Sequence, residues 1–220
     1  MDPVAELLRL AFSLLVGAQP LGEPASLDPM RPPDSIDNCH ELLDAAGAKY
    51  EPSRIPLHEA RAGGFSCGTP QAVRYRGSAE KIRYSSKPKV SCAVALALPR
   101  FEAIVREEAA DILDARVHRI EHLGTYNCRE MAAYEGWVSE HSYANAIDIA
   151  AFVLSDGTRI SVLEHWSDSG PKGRFLRRVA RRSFDESVFA GVLTPDFDAH
   201  HRNHFHLDMA HYRSDGAGPG

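Results

Sequence analysis

The chain has 220 residues, 44% of them hydrophobic and 25% charged, with a formal net charge of −5. That is enough apolar material for a sizeable core and most simply makes one domain with an irregular N-terminal extension. The acidic balance excludes the broad basic surface that nucleic-acid phosphates require.

In chain order, residues 1–18 read as a signal peptide or an N-terminal helix. Leu7 to Ala18 is apolar and Val16-Gly17-Ala18 offers small residues for cleavage, yet Asp2 and Glu6 replace the basic start of such signals. Both readings stand. Arg9 interrupts a stretch already short of the ~20 residues a spanning helix needs, so no transmembrane span is expected. Residues 19–35, with Pro20, Pro24, Pro29, Pro32 and Pro33, read as a linker. The globular domain then runs over 36–213, leaving 214–220 as a flexible tail.

Asp37 is the expected N-cap of a short helix through Ala46, stopped by Gly47. Gly63-Gly64 and Pro70 frame a loop around Cys67, and 72–84 holds short strands. Residues 91–113 form the longest helical stretch, which Pro99 kinks or begins. Val117 to Leu123 is a strand feeding the Tyr126–Arg129 loop. Asn145 to Leu154 is a second strand, and Asp156-Gly157 turns it into Arg159 to Trp166. Arg174 to Val188 is a helix broken near Ser183, its basic run Arg174 to Arg182 a solvated face. Helices packed on a small antiparallel sheet make the fold α+β.

Two motifs carry chemistry. His141 and Asp148 stand seven residues apart, and His204, His206 and Asp208 alternate with Phe205 and Leu207. The alternation is that of a strand with a polar face and an apolar face. On one helix His141 and Asp148 would sit about 10 Å apart, too far to share a metal bonded at about 2 Å. A folded loop leading into a strand brings them together. With eleven histidines in the chain, either motif alone is weak evidence; their joint occurrence points to three metal ligands and an open fourth position for water. Zn²⁺ is the ion such a mixed nitrogen and oxygen set suits.

Ser139-Glu140-His141, Asn145-Ala146-Ile147-Asp148, Tyr126-Asn127-Cys128-Arg129 and the closing Pro195-Asp196-Phe197 to His204-Phe205-His206-Leu207-Asp208 together resemble the bacterial extensin-like C-terminal domain family. That family is similar to the D-Ala-D-Ala carboxypeptidase, lysostaphin and hedgehog superfamily of zinc domains. The resemblance covers roughly Cys39 to Tyr212. It implies a small antiparallel sheet carrying the zinc site, with His141, Asp148 and His206 as ligands. It also implies a zinc-dependent hydrolase that cuts peptide bonds in peptidoglycan stem peptides or crosslinks, as endopeptidase or carboxypeptidase, in the periplasm or outside the cell. Arg129 corresponds to an arginine that holds substrate or oxyanion. The family's loop usually reads Gly where this chain has Ala144, and a backbone that needs positive φ there suits Gly better.

Remaining roles follow from chemistry. Some relatives carry a glutamate where this chain has Asn203, so the acid–base function falls to His204, two residues before a ligand on the same strand face. Asp208 is a candidate to fix a histidine tautomer, or is an ordinary acid beyond the strand. Ser139 is expected to hydrogen-bond the loop, since no triad order surrounds it.

Four widely spaced cysteines, Cys39, Cys67, Cys92 and Cys128, argue against a thiolate zinc site and for disulfides or buried thiols. The resemblance implies Cys67 with Cys92. It also places the usual partner of Cys128 at Arg182-Ser183, leaving Cys128 free or paired with Cys39. Two competing readings remain: a zinc module of the same fold that binds wall peptide or a protein partner without cutting it, and a disulfide-stapled structural domain without metal.

Overall fold

The structure is a computed structural model that describes residues 32–61, 63–132 and 134–216. The signal or helix expected over 1–18 and most of the linker lie outside the described residues, as do 217–220. The elements are α1 (Cys39–Ala45), β1 (Lys49–Glu59), β2 (Ser66–Gly77), β3 (Arg83–Tyr84), β4 (Lys89–Ser91), α2 (Cys92–Leu113) and β5 (Val117–Gly124). A 3₁₀ turn (Glu140–Tyr143) precedes β6 (Ala146–Leu154), β7 (Arg159–Ser161), α3 (Val162–His165) and α4 (Pro171–Asp185). β8 (Gly191–Leu193), a second 3₁₀ turn (Ala199–His201) and β9 (Phe205–Asp208) complete it.

The class is mixed α and β, with two sheets where one small sheet was expected. β1-β2-β4 form an antiparallel sheet of three strands, and β3-β5-β6-β9-β8 a second of six with β7 added on β6. All pairs are antiparallel except β3 with β5. Among the described residues, no helix is long and apolar enough to cross a membrane.

β6 positions the chemistry. Ile147 and Ile149 point into the core with Phe205 and Leu207 of β9, so Asp148 and His206 share the opposite face. Further along, the ladder with β5 advances two residues on β6, Ile149 to Ala151, for one on β5, His122 to Glu121. That bulge shifts the core-facing set from odd to even numbers, so Phe152 and Leu154 rejoin the core. Against this face pack α2, through Val94, Leu98, Phe101 and Val105, and α4, through Phe175, Leu176 and Val179. At roughly 1.5–3 kcal/mol per fully buried large apolar side chain, this layer dominates the stability of the sheet beneath the site.

Several local expectations are corrected. Asn38, in left-handed conformation, and not Asp37 caps α1. Cys67 and Pro70 lie inside β2 and not in a loop. Pro70 is tolerated because the ladder is interrupted there: β2 advances three residues, Ala72 to Thr69, while β1 advances two, Ser53 to Ile55, so Pro70 lies in a bulge. Pro99 lies within α2, whose start is set by Ser91 Oγ accepting from Val94 N–H at 3.3 Å. The strand expected through Trp166 ends at Ser161, where the chain turns into α3. Ser183 does not break α4: its hydroxyl donates to the Val179 carbonyl at 2.7 Å, the i−4 bond a helix tolerates.

The basic run of α4 is also less solvated than expected. Arg182 pairs with Glu107 and Glu108 of α2, Arg178 joins Glu108, and Arg177 donates to the Trp166 and Asp168 carbonyls.

The disulfides pair Cys39 with Cys92 and Cys67 with Cys128, overturning the expected Cys67–Cys92 link and the free Cys128. Register explains the correction. Ala72 faces Ser91, so Cys67 lies five residues farther along β2 than the partner of Cys92's neighbour. At about 3.3 Å per residue that is some 16 Å, beyond the ~7 Å a disulfide can span.

Candidate metal centre

The 3₁₀ turn that carries His141 is held from every side. Asn145 is the bracket: its Nδ2 donates to Glu140 Oε2 (2.7 Å) and to the Met209 carbonyl (2.9 Å), while its Oδ1 accepts from Ser91 Oγ (2.8 Å). Its backbone N–H donates to Glu140 and its carbonyl accepts from Met209 N–H. Wholly buried polar groups with all partners made fix one geometry. Ala144 closes the turn at φ 54°, ψ 25°, in the left-handed region. The loop therefore does need positive φ, at a cost of about 1–2 kcal/mol for a residue with a Cβ.

Upon this frame His141, Asp148 and His206 converge. His141 Nε2 lies 3.1 Å from Asp148 Oδ1 and 3.1 Å from His206 Nδ1, and His206 Nδ1 lies 3.1 Å from Asp148 Oδ1. The three donor atoms form an equilateral triangle. Four ligands placed tetrahedrally at about 2.0–2.1 Å from Zn²⁺ stand about 3.3–3.4 Å apart, so the triangle fits one such ion with little adjustment. Access remains: the side chains are 4%, 18% and 12% exposed in that order. Gly124, paired with Asp148 on β5, leaves open space where a Cβ would stand.

Electrostatics bind the three groups together. Burial disfavours a charged His206, yet the hydrogen bonds its ring donates to Asp148 and Asp208 outweigh it and raise its pKa to about 10. Asp148 is held far below the usual carboxylate range, because bonds to His141 and His206 overcome its burial. A proton on His206 thus serves three facing lone-pair atoms, and a divalent cation would serve all three at once.

Asp208 Oδ2 takes the other ring nitrogen, His206 Nε2, at 3.1 Å, which turns Nδ1 toward the triangle. Gly191 makes room for it, since a Cβ there would stand 2.3 Å from the Asp208 carboxylate. His204 lies beside the triangle with Nε2 3.5 Å from Asp148 Oδ1. Its Nδ1–H donates to Asn203 Oδ1 at 2.8 Å, leaving the Nε2 lone pair free. Desolvation lowers its pKa to about 4, so the ring is neutral at pH 7.

Two other candidates sit elsewhere. The Arg129 side chain is exposed, and its guanidinium donates to the Glu130 carbonyl at 3.0 Å. Ser139 contributes backbone, not hydroxyl, bonds: its N–H donates to Arg129 and its carbonyl accepts from Ser142. The hydroxyl that ties the two loops belongs to Ser142, which accepts from Arg129 N–H (3.0 Å) and donates to the Arg129 carbonyl (2.9 Å).

A family model described as the extensin-like protein C-terminus matches residues 37–217. The chain belongs to that family. No curated protein and no solved structure matches it.

Two residues of the extensin-like domain escaped the motif reading. His201 packs its ring against His204 (5.3 Å) and His206 (5.8 Å), and its Nδ1–H donates to Asp198 Oδ1 at 2.7 Å. An acid three residues before a histidine, Asp198-x-x-His201, was the available signal. Glu140 is buried beside His141, and desolvation raises its pKa to about 7 despite the Asn145 bond. Nothing in its sequence neighbourhood separates it from a surface acid.

Proposed function

We propose that this extensin-like domain is a zinc-dependent hydrolase that cleaves peptide bonds in bacterial peptidoglycan, as endopeptidase or carboxypeptidase. The observation that carries the reading is the triangle of donor atoms, each 3.1 Å from the others, on an accessible sheet face with His204 beside it. His141, Asp148 and His206 would hold the ion. Bound zinc would lower the pKa of a water and polarise the scissile carbonyl. His204, neutral and oriented by Asn203, would take the proton of the attacking water at Nε2 and return it to the leaving amine. Asp208 keeps His206 in the tautomer that presents Nδ1. Arg129, on the exposed loop joined to the turn through Ser142, would grip a substrate carboxylate. Peptidoglycan as substrate class rests only on the resemblance, proposed from the motifs, between this family and the D-Ala-D-Ala peptidase superfamily. Two disulfides suit an oxidising compartment such as the periplasm or the exterior.

Digestion of purified peptidoglycan and its mucopeptides, followed by mass spectrometry, tests this directly. Products hydrolysed at a peptide bond, absent with chelator and restored by Zn²⁺, are expected. Intact substrates after incubation with zinc-loaded protein would overturn it. One observation favours a second reading, a zinc module that binds wall peptide or a partner without cutting it: Arg129 Nη1 donates to the Glu130 carbonyl of its own loop. Saturable binding of uncut mucopeptide would mark that outcome.

A further inference from the structure

A second cluster of metal-ligating atoms lies on the three-stranded sheet. His58, Cys67 and Cys128 each offer one ligand atom, all within 4.8 Å of one another, although the two sulfurs are now joined. The three come from different segments, and none is held in place by the disulfide alone. His58 and Cys67 are direct partners across the β1–β2 ladder. The bulge before His58 requires Gly68, at φ 97°, where a Cβ would meet the Pro56 carbonyl at 2.4 Å. Cys128 is bracketed by Asn127 N–H on the His141 carbonyl and by Arg129 N–H on Ser142 Oγ.

His58 is also set up as a ligand. Its Nδ1–H donates to the Pro56 carbonyl at 3.0 Å, and Nε2 accepts from the Tyr126 hydroxyl at 3.3 Å. A carbonyl on one ring nitrogen fixes the tautomer and leaves the other basic, as at metal-bound histidines.

We propose that the Cys67–Cys128 bond and a thiophilic divalent ion are alternative occupants of this place. Once the bond is reduced, Cys67, Cys128 and His58 hold the ion and keep the loop that buttresses His141 in position. A dithiol suffices as reductant. One of its sulfurs attacks Cys128, which is partly exposed while Cys67 is wholly buried, and expels the Cys67 thiolate. Its second sulfur then displaces Cys128, and the reagent leaves as a cyclic disulfide. Two electrons and two protons pass to the protein, giving two thiols. Binding a divalent ion releases both protons to solvent, leaving two thiolates and one neutral imidazole, with water completing four-coordination. The ligand set shares no residue with the His141 triangle, which contains no sulfur.

The test reduces the full chain under native conditions, removes the dithiol, and adds Zn²⁺ or Co²⁺. Alkylation mapped by mass spectrometry should show Cys67 and Cys128 protected at least ~10-fold by Zn²⁺, with Cys39 and Cys92 unaffected. Co²⁺ should give a thiolate charge-transfer band, absent from the oxidised chain. His58→Ala, an exposed position, should weaken both effects about tenfold or more. Alkylation rates indifferent to metal would overturn the proposal. So would equal protection in His58→Ala, or a disulfide that opens only when the chain unfolds.

Discussion

The two clusters of ligand atoms solve one problem in opposite ways. At His141, Asp148 and His206 no pair of donors can bond covalently, and three lone-pair atoms are held 3.1 Å apart, the place we propose for a cation. At His58, Cys67 and Cys128 two donors have bonded to each other and the histidine stands by. Ladder register holds the first pair of ligands in both clusters, Asp148 opposite His206 and His58 opposite Cys67. The third arrives on a loop, and the two loops are stitched together by Ser142 and Asn127. Backbone pairing, not the bond at the centre, therefore does most of the positioning.

Removing a ligand from the triangle should have the largest effect. His206→Ala should lose zinc and hydrolysis together while thermal unfolding still reports a folded chain; retained zinc would move the ligand elsewhere. His204→Ala should keep zinc and slow hydrolysis by ~10²–10⁴-fold, measured on the same preparations. Full activity in that variant would remove His204 from the chemistry. The proton on His206 adds a pH test. Since its pKa is raised to about 10, binding below that pH displaces one proton. Apparent zinc affinity should therefore fall about tenfold per unit as pH drops from 9 to 7.

The two disulfides sharpen the contrast between stability and function. They close loops of 53 and 61 residues, so chain entropy assigns each about 4 kcal/mol. Chemical denaturation of Cys39→Ala/Cys92→Ala and Cys67→Ala/Cys128→Ala should give similar losses. Hydrolysis should suffer only in the second, whose loop supports His141; equal activities would disconnect that loop from the site.

A buried acid outside both clusters serves as a control. Glu102 of α2 is wholly buried against Ser78 Oγ at 2.6 Å, and desolvation raises its pKa from 4.5 to about 7. Its proton is bound more tightly in the folded state, so its contribution is complete below the unfolded value and is lost as pH rises through about 7. The loss is on the order of 3 kcal/mol, and Glu102→Gln should flatten denaturation midpoints across that window. The smallest effect is at Ala144. Ala144→Gly should change stability by less than ~1 kcal/mol, as relief of positive φ offsets added chain entropy and a lost methyl contact. Ala144→Val should cost more, because β-branched residues resist that conformation.

What was legible followed from periodicity. His206 and Asp208 share a strand face because they are two apart, and His141 reaches Asp148 because a helix could not bring it there. β6 is legible from Ile147, Ile149, Phe152 and Val153, and β5 from Val117, Ile120 and Leu123. The disulfide pairing was not, since it depends on the β2–β4 register, which no local pattern encodes. Pro70 misled for a related reason: a bulge in its own strand, visible only from the pairing with β1, makes room for it. That Ser142 and not Ser139 meets the Arg129 loop through its hydroxyl depends on the 3₁₀ turn, which no local pattern encodes. His201 owes its place to ring contacts with His204 and His206, and Glu140 its burial to the packing of the turn that carries it.

The central claim is that the triangle holds one metal ion. Elemental analysis with calorimetric titration of Zn²⁺ into the oxidised, metal-stripped chain tests it most directly. About one zinc per chain is predicted, lost in His141→Ala and Asp148→Ala and unchanged in His58→Ala. Binding that survives both triangle variants, or no binding by the native chain, would contradict it.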